Sequence, residues 1–546
     1  MTVTEADIAA AERLLGLAYT ARERAQMLDG FPGQIEAAQA RRAVTLPNDA
    51  PMASHFDPRL PGFAMPTASG VTVPAGTAPC PASDGDIAFA SVHDLGRWIR
   101  AGALTSARLT EIYLARIAAL GARLECWATV TADLARAQAD AADALLKAGT
   151  DRGPLHGIPY GLKDLFDTDG IVTGWGAEPY RDRIPETDAR IVTMLREAGA
   201  VLLGKTTLGA LAYGDVWYGG RTRNPWNLSE GSSGSSAGSA SATAAGLCAF
   251  SIGTETLGSI TAPSQRCGTT GLRPTFGRVS RVGGMTLCWS LDKVGPICRT
   301  VDDTALVLDA INGGDIDDRG SIAAPFHYDA GRSIQGLRVG YLAEAFGEGA
   351  SPVDHAALDA MRGLGVEVVE IALPDLPYAS LMNIVQAEAA AAFEPLTLTD
   401  ADDLLTRQDE AAWPNLFRRA RFLSAVDHVQ LDRLRYRVMQ ALDDAFRAVD
   451  AMIGPFQTGQ MLVASNFTGH PCLHLRAGFQ TMPTRGAGSL APGGVSPGLP
   501  GTGPRFEVPQ GISLWGRLFE EGTILTLGRS LEAALDVADR RPGFTQ

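Results

Sequence analysis

Nowhere among the 546 residues do eighteen apolar side chains run together, so no membrane-spanning helix is expected. Basic runs are missing too. Lys and Arg number 47 against 61 Asp and Glu, a net charge of −14, and no nucleic-acid partner is expected of a chain without a basic face. The opening MTVTEADIAA has two early acids and no basic segment leading into an apolar core. No secretory signal is read there, and a cytoplasmic setting is expected. Cysteine is scarce: seven, widely spaced, odd in number and without a CxxC pair. That argues against a disulfide framework or a zinc site and for reduced, buried thiols. The eight histidines show no HExxH spacing. His470 and His474 are the one close pair, and Pro471 between them favours a loop or strand entry over a shared helix face. No metal and no cofactor are expected.

What is present is the composition of a globular protein, 45% hydrophobic and 20% charged. Residues 1–42 read as an N-terminal helical extension. Within it 4–28 is a helix that Thr4 caps with Asp7 three residues on, and Ile8, Leu14, Leu15 and Leu17 are its apolar positions. Residues 43–84 carry prolines at 47, 51, 58, 61, 66, 74, 79 and 81 and read as an extended connector, not a core element. From about residue 85 to 540, helical patterns alternate with short apolar strands at 126–130, 200–203, 249–253, 337–341 and 451–453. The alternation predicts an α/β fold: one large domain with a mixed, mainly parallel central sheet covered by helices. Residues 380–450 read as a helical insertion with Val426, Val429, Leu434, Val438, Leu442 and Phe446 on one stripe. Residues 481–510, rich in Gly and Pro, read as a long exposed loop.

Chemistry concentrates in 151–300. Gly234-Ser235-Ser236-Ala237-Gly238-Ser239-Ala240 opens a run of small residues that lets a helix lie close to a sheet. Gly253-Thr254-Glu255-Thr256-Leu257-Gly258-Ser259-Ile260 follows a strand directly, where α/β sheets present their reactive loops. A serine at 259, preceded by turn-prone amides, is placed to attack a carbonyl whose oxyanion those amides would hold. A serine needs a base within hydrogen-bond reach, and Lys163, set among apolar neighbours in HGIPYGLKDLFD, is the candidate. Desolvation disfavours its ammonium form and makes a neutral, basic amine accessible.

Four blocks in order, HGIPYGLKDLFD, GSSAGSASATAAG, GTETLGSI and CGTTGLRPTFGRVS, resemble the amidase signature family. The likeness is dense over about residues 85–320 and resumes at Asn466–Pro471 and Pro509–Gly516. The resemblance implies the amidase signature fold and an amidohydrolase that cleaves a C–N bond through a seryl acyl-enzyme. Ser259 would be the nucleophile, Ser235 the bridging serine on a cis peptide bond, and Lys163 the base. The amides of Thr256, Leu257 and Gly258, with Ser259, would form the oxyanion hole. Ser236 and Ser239 would either orient the relay or be structural. The implied partner is a small-molecule amide, aryl amide or carbamate (urethane), and the implied assembly a monomer or homodimer.

The chain departs from the family where Glu255 replaces the usual Asp, Leu257 a Gly or Ala, Thr261 a frequent Arg and Ala237 a common Gly. The transamidosome member of the family is therefore a poor guide to substrate. Leu257 either packs into the core or lines the acyl pocket, and Thr261 removes a fixed charge; together they point to a neutral, fairly hydrophobic substrate. Two rival readings carry letter matches. Gly234-Ser235-Ser236-Ala237-Gly238 fits G-x-S-x-G, the elbow of an α/β-hydrolase-like esterase, with Ser236 as nucleophile and His470 or His474 downstream. Residues 199–206 fit the P-loop pattern of a nucleotide binder, although 200–203 reads as the strand itself, whose amides a sheet would occupy. An inactive scaffold would require a lost triad residue, and none is lost.

Overall fold

The computed structural model describes residues 2–456, 458–485 and 504–545. Among them eleven strands join in one sheet: β1 Trp127–Val130, β2 Pro159–Lys163, β3 Val201–Thr206, β4 Phe250–Glu255, β5 Thr270–Arg273, β6 Lys293–Cys298, β7 Arg338–Leu342, β8 Glu367–Ile371, β9 Ala451–Pro455, β10 Cys472–Pro483 and β11 Arg505–Gly516. Their order is β8-β7-β9-β11-β10-β5-β6-β4-β2-β3-β1. The expected α/β architecture with a mixed sheet is present. Its parallel character belongs to the two flanks, where β7 pairs with β8 and β9, and β2 with β3 and β4. From β9 across to β4 every neighbouring pair is antiparallel.

The strands that carry the site are apolar on both faces. All five residues of β2 and all six of β3 are buried, as helices on either side of a sheet require. The helix Ala237–Ala244 is buried along its whole length, and the small residues at 234–246 are what make this possible. A Cβ on Gly238 would come within 2.3 Å of the Cys126 carbonyl oxygen, and one on Gly234 within 1.8 Å of the Gly214 oxygen. Close approach therefore depends on glycine at both points.

Several expectations need correction. The helix read at 4–28 is two helices, Glu5–Leu15 and Ala21–Met27. Gly16, at φ 65°, ends the first, and Thr20 starts the second with its own capping box to Glu23. Ile8 is buried, whereas Leu14, Leu15 and Leu17 are exposed. The connector at 43–84 has little regular structure, yet Gly70–Thr72 pairs in parallel with His327–Asp329. The loop read at 481–510 is strand at both ends: Met482 pairs with Phe506 and Gln480 with Val508. Cross-strand hydrogen bonding there overrides a turn-like composition, and residues 486–503 lie outside the described ones. The 380–450 segment is mostly helical, with Ala425–Ala448 its longest helix. Only the second half of its apolar stripe is covered. Val438, Leu442 and Phe446 enter a core cluster with Met461 and Phe467, while Val426 and Val429 are exposed. No helix among the described residues is long and apolar enough to cross a membrane.

Candidate active site

Lys163 is the last residue of β2, and no part of its side chain is exposed. Its Nζ donates to Ser235 Oγ at 2.8 Å, to Ser236 Oγ at 3.1 Å and to Thr254 Oγ1 at 2.8 Å, with the Thr254 carbonyl oxygen at 3.5 Å. Every near partner is a neutral oxygen. Burial therefore dominates and lowers the amine from 10.5 to about 7, against the opposing pull of Asp292 and Glu255. Such a lysine is divided between amine and ammonium near neutrality.

Ser235 follows a cis peptide bond from Gly234, and the next residue starts the buried helix. Ser236 Oγ donates to the Thr254 carbonyl at 3.1 Å and accepts from the Thr254 amide at 3.2 Å. The Ser236 amide donates to the Ser259 carbonyl at 3.1 Å, tying the loop after β4 to the start of this helix. Ser239 lies one turn on and bonds Thr206 Oγ1 and the Ile252 carbonyl, joining helix to sheet. Ser236 thus sits in the lysine cluster and Ser239 in the scaffold.

The chain leaves β4 at Glu255 and turns through 256–260, with Gly258 at φ 82°. Glu255 is fully buried and serves as the staple of this turn. One carboxylate oxygen accepts the Ile260 and Thr261 amides, both at 2.9 Å, and the Thr261 hydroxyl at 3.1 Å. The other accepts Arg273 Nη1 at 2.7 Å and Asn466 Nδ2 at 3.1 Å. Burial alone would raise the carboxyl; the Arg273 guanidinium and the donated N–H groups outweigh it and hold Glu255 down at about 2. Thr256 Oγ1 is anchored to Asp292 Oδ1 at 2.5 Å, and Asp292 Oδ2 accepts the Leu287 and Cys288 amides. Among the described residues, the amides of Thr256, Leu257, Gly258 and Ser259 have no hydrogen-bond acceptor. Four consecutive unspent donors on a stapled turn, beside a serine that is 8% exposed, form a preorganised anion-stabilising loop.

The substituted positions face away from a substrate. Thr261 is buried against Glu255, and Leu257 packs on the second core cluster with Cys288, Leu291 and Met461. Of the two places expected for Leu257, the structure has it on the core. Sequence reasoning missed Thr254, Asp292 and Arg273. The available signal was strand alternation after Gly253, which puts Thr254 and Thr256 on one side of the chain. A cavity of about 140 Å³ opens beside the cluster and is lined by Thr254, Thr256, Asp292 and Lys293. Lys293 is a second buried lysine, whose Nζ donates to the Leu291 carbonyl.

A family model described as Amidase matches residues 108–469. The chain belongs to the amidase family. As an amidase it is a hydrolase of carbon–nitrogen bonds. A glutamyl-tRNA(Gln) amidotransferase polypeptide of Geobacter metallireducens is 35% identical over 475 residues, 81% of this chain and 97% of the relative. The native peptide amidase of Stenotrophomonas maltophilia superposes with a TM-score of 0.69 at 29% identity, over 84% of this chain and 99% of that one. A structure described under the evolutionary origins of an s-triazine catabolic enzyme gives a TM-score of 0.71 at 27% identity, over 83% and 100%.

The rival letter matches do not assemble in the amidase. Ser236 Oγ is engaged by Lys163 and Thr254, whereas His470 pairs with Thr468 and His474 with Ser513. Both imidazoles are buried, which lowers each to about 3 and keeps them neutral. Residues 201–206 are β3, buried and paired on both sides, and Lys205 donates to the Phe166 carbonyl and to Thr173 Oγ1. No phosphate-cradling loop exists there.

Proposed function

We propose that this amidase hydrolyses a neutral amide, aryl amide or carbamate through a seryl acyl-enzyme, with Ser259 as nucleophile, Ser235 as relay and Lys163 as base. The observation that carries the reading is the 2.8 Å contact between Lys163 Nζ and Ser235 Oγ in a site that lowers the lysine to about 7. In the amine form Nζ accepts the Ser235 hydroxyl proton while Ser235 Oγ accepts that of Ser259. Ser259 Oγ then bonds to the carbonyl carbon, and the charge that develops on oxygen is met by the free amides of 256–259. Collapse breaks the C–N bond, and the proton held on Lys163 returns through Ser235 to the departing nitrogen. Water, deprotonated through the same relay, releases the acid and restores Ser259.

The contacts of Ser236 support a fixed orientation for Lys163, because its hydroxyl and the Thr254 hydroxyl hold Nζ on the side opposite a moving proton. The test is labelling with a fluorophosphonate. Peptide mapping should place the adduct on Ser259, and Ser259→Ala should lose adduct and turnover together. An adduct on Ser236, or turnover surviving in Ser259→Ala, overturns the assignment.

A further inference from the structure

The connector between the N-terminal helices and the sheet does more than link them. Asn48 fixes its start: the side-chain amide donates to the Thr286 carbonyl at 2.9 Å and the Ala392 carbonyl at 3.2 Å, and its oxygen accepts the Thr286 amide at 2.7 Å. Phe56 fixes the other end, edge-on to Phe276 at 5.1 Å and beneath the Arg435 guanidinium at 3.8 Å. Proline at 51 and at 58 restricts the backbone between and beyond these anchors. The strap held this way forms one wall of the cavity that reaches Thr254 and Thr256.

The lining has two zones. Its inner part is apolar, with Met52 and Phe56 from the strap facing the same space as Leu165, Phe166, Met285 and Leu287. The inner charges are already satisfied: Arg281 is paired with Asp318 at 2.7 Å, Asp292 accepts Thr256 and two amides, and Lys293 donates to Leu291. Asp49, His55, Asp317 and Arg319, all exposed, ring the mouth. A space of about 140 Å³ matches an apolar cavity of ~150 Å³, which accepts a benzene-sized group. No unspent charge inside is available to a charged one.

We propose that residues 48–56 are a specificity element: the strap, through Met52 and Phe56, seats an uncharged aryl or short alkyl arm of the amide substrate in this cavity. The assignment rests on the amidase reading of the site above. It makes the N-terminal segment part of substrate recognition, whereas the catalytic groups all lie on the sheet and its loops.

The test uses the full chain carrying Ser259→Ala, so that ligands bind without turnover. Acetamide, which has no arm, and benzamide and acetanilide, which do, are titrated calorimetrically with and without Met52→Ala, and again with Asn48→Ala. The expected result is that both variants weaken benzamide or acetanilide by about fivefold or more, the value of losing one apolar contact, and leave acetamide within about twofold. Equal weakening of all three amides, or of none, overturns the strap assignment. In parallel, fluorophosphonate labelling of Met52→Ala in the otherwise native chain reads the catalytic centre. Labelling at the native rate with altered binding ratios separates the two roles. Absence of label from the native chain would sink the serine mechanism, while the binding ratios would still decide the strap.

Discussion

Arg273 Nη1 lies 2.7 Å from Glu255 Oε1, and neither side chain is exposed to any degree. The pair stands directly beneath the turn that carries Ser259, and the same carboxylate receives the two amides that start the helix Thr261–Cys267. Removing one partner strands the other charge in the core, which costs on the order of 3–5 kcal/mol. Arg273→Met should therefore lower the urea midpoint sharply. Its surviving folded fraction should show a fall in kcat with little change in KM, because the loop amides act only as the oxyanion forms. An unchanged midpoint would show that Glu255 is held by its amide donors alone.

Rate should follow the protonation of Lys163. The amine is the competent form and titrates at about 7, so kcat/KM should rise through neutrality and level off on the alkaline side. Stability carries the same signature. The folded value lies below the ordinary 10.5, so between about 7 and 10.5 the unfolded chain binds the extra proton and stability rises with pH. Measured against Lys163→Met, which lacks the titrating group, the stability of the native chain should climb across that window. A constant difference would mean that the amine keeps its ordinary value.

Neither buried histidine should take part in proton transfer. His474→Asn keeps a side chain able to bond Ser513, and His470→Asn one able to bond Thr468. Each variant should label at Ser259 and keep the alkaline rise in rate. Loss of the rise in a variant with a native melting temperature would return a histidine to the relay.

Leu257 should matter to the fold and not to choice of substrate. Its isobutyl group packs half-buried on the second core cluster, so Leu257→Ala should cost about 1–2 kcal/mol. The ratio of kcat/KM for long and short neutral amides should stay as in the native chain. A ratio shifted tenfold, equivalent to ~1.4 kcal/mol, would put the side chain in the acyl pocket after all.

Among the described residues no cluster of three His, Cys, Asp or Glu is placed to hold a metal ion. Prolonged dialysis against a chelator should leave turnover unchanged, and restoration of a lost activity by zinc would contradict the lysine mechanism.

The catalytic geometry was legible because its determinants are local. Lys163 ends an apolar run, Ser235 sits where only small residues fit, and Ser259 follows a strand and a Gly-bearing turn; spacing along the chain was enough to single them out. What was not legible depends on distant partners. Asp292 becomes part of the loop only through Thr256, and Arg273 only through Glu255, contacts that a reading along the chain cannot supply. The connector looked like a spacer because proline content reports backbone stiffness, not what the stiff segment lies against. Strand pairing at 505–510 was hidden in the same way, since Gly and Pro density signals a turn while the register with 478–483 is set across the sheet. Val426 and Val429 erred in the other direction: periodicity shows which face is apolar, not how far a neighbour extends along it.

The four oxygens around Lys163 Nζ come from two stretches of chain, at 235–236 and at 254, and neither adjoins residue 163 in sequence. A polypeptide in which β2 and β4 have not met has a solvated lysine with its ordinary affinity for a proton, and such a molecule is silent near neutrality. Chemical reactivity of Ser259 is thus conditional on the sheet having closed. A stoichiometric serine reagent applied at neutral pH will count native molecules rather than total protein, so the active fraction of any preparation can be read without knowing the substrate.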